Sequence, residues 1–112
     1  MNKKEIREKF KREVFKRDNY TCKVCKKVYG IENSNLLDAH HIVDRSEIIS
    51  GGYVKENGIS LCEKCHKLAE HEHAFGKAYN PLYSIDGLLK KIGSSREKAY
   101  AESRKLMELR NE

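Results

Sequence analysis

No run of apolar residues in this sequence approaches membrane-spanning length, which excludes a transmembrane helix. The opening stretch, MNKKEIREKFKREVF, has neither an apolar h-region nor a small-residue cleavage site. A secretory signal is therefore not expected, and the expected setting is a reducing cytoplasm. Apolar residues are scarce at 38%, nearly matched by 36% charged residues. A core built from so little must be thin. The 112 residues are read as one compact domain, 1–112, with no internal repeat and no low-complexity segment. Domains this small and polar often need a metal or disulfides to stay folded.

The cysteines identify the staple. They fall as two Cys-x-x-Cys pairs, Cys22/Cys25 and Cys62/Cys65, with 36 residues between the pairs. Cystines in a secreted scaffold are the competing reading, and the expectation of a reducing setting argues against it. Two such knuckles in a reducing compartment indicate a tetrahedral, structural zinc.

Charge is unevenly placed. Residues 1–27 carry 11 Lys/Arg against 4 Asp/Glu, whereas the remaining 85 carry 12 against 13. The positive excess lies ahead of and around the first knuckle. A solvated helix face would explain it, and so would an electrostatic footprint for nucleic-acid phosphates. The candidate DNA-binding residues are Lys4, Lys9, Lys11, Arg12 and Lys16.

Periodicity places the elements. Ile6, Phe10 and Val14 recur every four residues, with Phe15 beside them, predicting a helix over 3–17 with one narrow apolar face. Residues 26–35 read as loop. Leu36 to Val43 and Gly58 to Cys62 read as strands, separated by a Ser50-Gly51-Gly52 loop. A helix is expected from Glu63 to Phe75, with Leu68, Ala69 and Phe75 inward. Asn80-Pro81 then breaks the chain. A short helix over 84–92 turns Leu88, Leu89 and Ile92 inward and stops at Gly93. Ser94-x-x-Glu97 matches a capping box for a last helix to Arg110, packed through Ala99, Leu106 and Leu109. The expected class is α+β: a basic helix (1–17), a zinc-stapled ββα core (18–75) and a helical tail (76–112).

The five histidines, His40, His41, His66, His71 and His73, fall in or beside this core. His40 and His41 are neighbours on the first strand, so their side chains point to opposite faces. Asn57 precedes the second strand. His66 and Glu70 stand four apart on the following helix, a spacing that can put two ligands on one metal. His71 and His73 read as solvated surface residues.

The stretch DAHHIVDR (38–45), followed by GGYVKENGISLCEKCHKLAE (51–70) and preceded by RDNYTCKVC (17–25), resembles an HNH nuclease motif, the ββα-metal type. The resemblance implies a metal-dependent DNA endonuclease. It makes His41 the general base, while His40 and His66 bind a catalytic divalent metal. Asn57 holds the loop so that the imidazole of His41 is aimed at water. Some relatives have a further His at the position of Glu70. Here a carboxylate stands there, which favours magnesium or manganese, and His71 follows one place later. The expected partner is DNA, and monomer and homodimer are both open. A zinc-stapled DNA-binding module without catalysis would also explain the cysteines and the basic helix. It leaves His40, His41, Asn57 and His66 without a purpose.

Overall fold

The computed structural model describes residues 1–75 and 81–110, with side chains described over 1–71 and 81–108. Helix α1 (Lys3–Arg17) opens with a capping box. The Asn2 side chain accepts from the Glu5 amide at 2.9 Å, and the Glu5 carboxylate accepts from the Asn2 amide at 3.4 Å. Ile6, Phe10, Val14 and Phe15 are its buried residues, as their spacing predicts.

Strands β1 (Leu37–His41) and β2 (Gly58–Cys62) form a two-stranded antiparallel sheet, with Leu37 opposite Cys62 and His41 opposite Gly58. Strand β1 is shorter than the apolar pattern from 36 to 43 suggests. Leu36 closes a 3-10 segment (Ile31–Leu36) within what reads in sequence as loop and its border. Past His41, the Ile42 amide donates to the Asn57 carbonyl, and Val43 is held by the Asn57 side chain instead of a strand ladder. Strand β2 is buried along its whole length. Helix α1 packs against it at Gly58, where a Cβ would stand 2.5 Å from Val14 Cγ2 and 2.6 Å from Phe10 Cε1. Any larger residue there would lever the helix off the sheet.

The exit of α1 is tied to the same strand. Asp18, 4% exposed, accepts from the Ser60 amide at 2.8 Å and from Arg17 Nε at 2.8 Å. Arg17 Nη2 reaches on to the Gly58 carbonyl at 2.6 Å. A carboxylate with both a guanidinium and an amide to satisfy it can be buried without an orphaned charge.

Helix α2 (Glu63–Phe75) follows β2 directly and completes a ββα unit. Its inward stripe is Cys65 and Ala69, one turn apart. Leu68, expected inside, is 42% exposed because it lies off that stripe. The expected roles of Phe75 and His73 fall outside the described side chains, as Leu109 does, and Asn80 lies outside the described residues.

The tail packs back onto this unit. Helix α3 (Ile85–Lys91) is capped by Ser84, whose hydroxyl accepts from the Gly87 amide at 3.0 Å. It buries Leu88 and Leu89, with Ile92 partly buried against the core. Gly93, at φ +68°, ends it in a Schellman motif: the Ser94 amide reaches the Leu89 carbonyl at 2.9 Å and the Gly93 amide reaches Lys90 at 3.1 Å. The cap of α4 (Arg96–Arg110) differs from the sequence expectation by one residue. Ser95, not Ser94, accepts from the Lys98 amide at 3.2 Å. Ser94 instead donates to the Glu56 carbonyl at 2.7 Å, a bond across 38 residues that local pattern could not reveal. Ala99 packs with Val43 and Ile48 in a second small core, and Leu106 is buried on the same helix. No described helix is long and apolar enough to cross a membrane.

Candidate active site

The four cysteines converge, although 36 residues separate the pairs. Their Sγ atoms all lie within 4.8 Å of one another, and none is in a disulfide. Cys25 and Cys62 Sγ are 3.8 Å apart. Four thiolates about 2.3 Å from a tetrahedral zinc have edges of about 3.8 Å, so the cluster fits that ion. Local electrostatics favour thiolates at one corner. Burial raises the Cys22 pKa, but amides of Cys62, Cys25 and Val24 aimed at its sulfur outweigh this and bring it down to about 7. Burial pushes Cys65 up to about 12, although the Tyr83 hydroxyl, 3.5 Å away, donates to its sulfur. Tyr83 comes from the tail, so the tail contributes to the surroundings of the zinc-type site.

A second set forms on one face of β1. Asp38 and His40, two residues apart, share that face. His66 and Glu70 reach it from α2, and His40, His66 and Glu70 bring ligand atoms within 4.8 Å of one another. Glu70 Oε1 lies 3.1 Å from His66 Nε2 and 3.5 Å from His40 Nδ1. On its other side, His66 Nδ1 lies 3.0 Å from Asp38 Oδ2. With Nδ1–H donating to the Asp38 carboxylate, the Nε2 lone pair faces the side where Glu70 stands. Two imidazoles and a carboxylate, one buried, one half-buried and one exposed, are a donor set that could hold a divalent cation. His71 is exposed and is not in this group.

His41 points to the other face, where it belongs to an aromatic group. Its ring stacks on Phe10 at a centroid distance of 4.5 Å and meets Tyr53 edge-on, also at 4.5 Å. Its Nε2 is buried with no hydrogen-bond partner among the described residues. Burial, then the charge of Arg45 and more weakly that of Arg7, lowers its pKa to about 4, against an opposing pull from Asp44. The imidazole is therefore neutral at neutral pH.

Asn57 stands behind His41 and is fully buried. Its Oδ1 accepts from the Val43 amide at 2.9 Å, while Nδ2 donates to the carbonyls of Val43 at 3.1 Å and Gly52 at 3.2 Å. Gly52, at φ +66°, leaves room for this amide, since a Cβ there would strike Asn57 Nδ2 and stand 2.7 Å from Ile48 Cγ2.

The basic residues of α1 divide into two stripes. Lys4, Arg7 and Lys11, spaced three and four apart, share one side. Arg7 lies over the Tyr53 ring at 5.7 Å, next to His41. Lys9, Arg12 and Lys16 have the same spacing on the other side, where Lys9 lines a groove with Glu102 and Lys105 of α4. The sequence pattern does not single out Arg7, Arg45, Tyr53, Asp38 or Tyr83. Asp38 could have been found from its two-residue spacing to His40. The others depend on packing that no local spacing encodes.

These features define a ββα unit with a four-cysteine cluster suited to zinc and a histidine–carboxylate set on the outer face of the first strand. Residues 22–72 match the family model described as HNH endonuclease. The matched span begins at the first cysteine and ends just past Glu70. No curated protein and no solved structure matches the chain.

Proposed function

We propose that the protein is a metal-dependent DNA endonuclease that hydrolyses phosphodiester bonds, with His41 as general base. The observation that carries this reading is the separation of two groups across one strand. A set of metal-ligand type (His40, His66, Glu70) occupies one face, and a neutral imidazole held by packing occupies the other.

His41 takes the proton of the attacking water on Nδ1, since Nε2 is buried. Phe10 and Tyr53 fix the ring plane, and Asn57 fixes the backbone that follows it. Asp38 orients His66 through Nδ1. His40, His66 and Glu70 would hold a divalent ion such as magnesium or manganese, which would supply positive charge near the phosphate. A zinc held by Cys22, Cys25, Cys62 and Cys65 would have all four positions filled by protein and would serve the fold and not the reaction. The basic residues Lys4, Lys9, Lys11, Arg12 and Lys16 attract the DNA backbone, with Lys4 and Lys11 on the side of the site.

The test is incubation of supercoiled and linear DNA with the protein and a panel of divalent ions, with a chelated control. Nicking that depends on the ion and vanishes in His41→Ala supports the reading. DNA retention without cleavage under any ion would leave a zinc-stapled binding module in its place.

A further inference from the structure

Tyr53 links three parts of the site. Its ring meets His41 edge-on at 4.5 Å and Phe10 at 5.6 Å. Its hydroxyl accepts from Arg45 Nη1 at 3.0 Å, and the Arg7 guanidinium lies over its ring at 5.7 Å. One tyrosine thus fixes two guanidiniums beside the imidazole. Arg45 is exposed, and the carboxylates of Asp44 and Glu70 add to the pull that keeps it charged.

Two exposed cations next to a half-buried histidine oppose its protonation, and for stability alone the arrangement has no evident use. It does suit an anion. A guanidinium is planar, always charged and able to bind a phosphate through two N–H groups at once. Tyr53 restricts both side chains before any ligand arrives, so less of their freedom is lost on binding.

We propose that Arg7 and Arg45 form a two-point phosphate clamp organised by Tyr53. Arg45 holds the non-bridging oxygens of the phosphate under attack, and Arg7 holds a neighbouring phosphate of the same strand. Lys4 and Lys11 continue that path along α1. The assignment rests on the nuclease reading for which phosphate is attacked, but the binding it describes can be measured without cleavage.

The experiment uses the full chain, loaded with zinc, in parent, Arg7→Gln, Arg45→Gln, Arg45→Lys and Tyr53→Phe forms. Zinc content and circular dichroism confirm folding, and all positions but Tyr53 are exposed. Affinity for a short duplex DNA is measured against salt in a His41→Ala background, and kcat and KM are measured without it. Arg7→Gln and Arg45→Gln should each flatten the logarithmic salt dependence by about one unit. Arg7→Gln should act on KM, whereas Arg45→Gln should lower kcat about 10²-fold, the scale of one lost transition-state donor. Arg45→Lys should restore the salt slope but not kcat, because charge returns without the fork. Tyr53→Phe should fall between parent and Arg45→Gln. A parent that cleaves, with Arg7→Gln and Arg45→Gln matching it in slope, kcat and KM, overturns the clamp and leaves the nuclease reading intact. A parent that never cleaves, with flattened slopes in both variants, supports the clamp as a phosphate site and overturns the nuclease reading.

Discussion

Asn57 grips Val43 at both ends of its residue, accepting from the amide at 2.9 Å and donating to the carbonyl at 3.1 Å. Val43 lies two residues beyond His41, so this buried side chain sets the path of the chain where it leaves the strand. Replacing Asn57 with Ala strands the Val43 amide and the carbonyls of Val43 and Gly52 in a buried site. At 1–3 kcal/mol for each unsatisfied group, partly relieved by relaxation, the variant should lose about 3 kcal/mol of stability. Urea denaturation of zinc-loaded protein checks this. A change within experimental scatter would mean that the loop does not depend on this amide.

The four-cysteine cluster should bind one zinc per chain, and its removal should unfold the protein. Structural zinc contributes folding free energy directly, and a core this thin has little else to replace it. Cys62→Ser should be poorly folded or insoluble. Tyr83→Phe is the finer test, because it deletes only the hydroxyl that donates to Cys65. Outer hydrogen bonds of this kind change metal affinity by about 10–100-fold, so a chelator should strip zinc from Tyr83→Phe at a lower concentration. A folded, zinc-free Cys62→Ser protein would refute the account.

Sequence spacing reveals much of this architecture because its signals are local. The apolar stripe of α1, the alternation along β1, the C-cap at Gly93 and each Cys-x-x-Cys pair can be read within a turn or two, and the ordered cysteines, histidines and Asn57 from their resemblance to the HNH motif. What is illegible is long-range. Asp18, just past the end of α1, anchors the Ser60 amide 42 residues away. Ser94 looks like a cap and instead bonds Glu56. Arg7, Arg45 and Tyr53 come from three separate segments, so their meeting around His41 depends on the packing of α1 across the sheet. Tyr83 likewise reaches Cys65 only because the tail folds back.

Glu70 and His71 are the alternatives for the third metal ligand, and geometry favours Glu70. Its Oε1 lies within 3.5 Å of nitrogens from both His66 and His40. His71 is about 100° further round the helix. Glu70→Ala should raise the divalent-ion concentration needed for half-maximal cleavage, while His71→Ala should leave it near the parent value. Ion titrations of the cleavage rate decide between them, and the reverse ranking would rule out the proposed ligand set.

The two stripes of α1 should differ in their contribution to DNA binding. Neutralising Lys4 and Lys11, which flank Arg7, should flatten the salt dependence by about one unit of slope for each phosphate left without its lysine. Neutralising Lys9, Arg12 and Lys16, on the side toward α4, should flatten it less. Equal losses from both stripes would mean that DNA wraps the helix instead of following one edge.

Replacing His41 is the change that tests chemistry apart from binding. The residue touches Phe10 and Tyr53 but is not one of the three convergent ligands on the opposite face. His41→Ala should therefore retain the structural zinc, the divalent-ion requirement of the other face and DNA affinity. Its cleavage rate should fall about 10²–10⁴-fold, the usual contribution of a positioned base. His40→Ala and His66→Ala should lose rate together with affinity for the divalent ion, and excess ion should restore part of it. Metal titration by calorimetry alongside single-turnover cleavage separates the two patterns. If His41→Ala loses the ion while His40→Ala keeps it, the two roles are exchanged across the strand. If His41→Ala and His40→Ala both cut DNA like the parent, neither histidine takes part and hydrolysis must be located elsewhere.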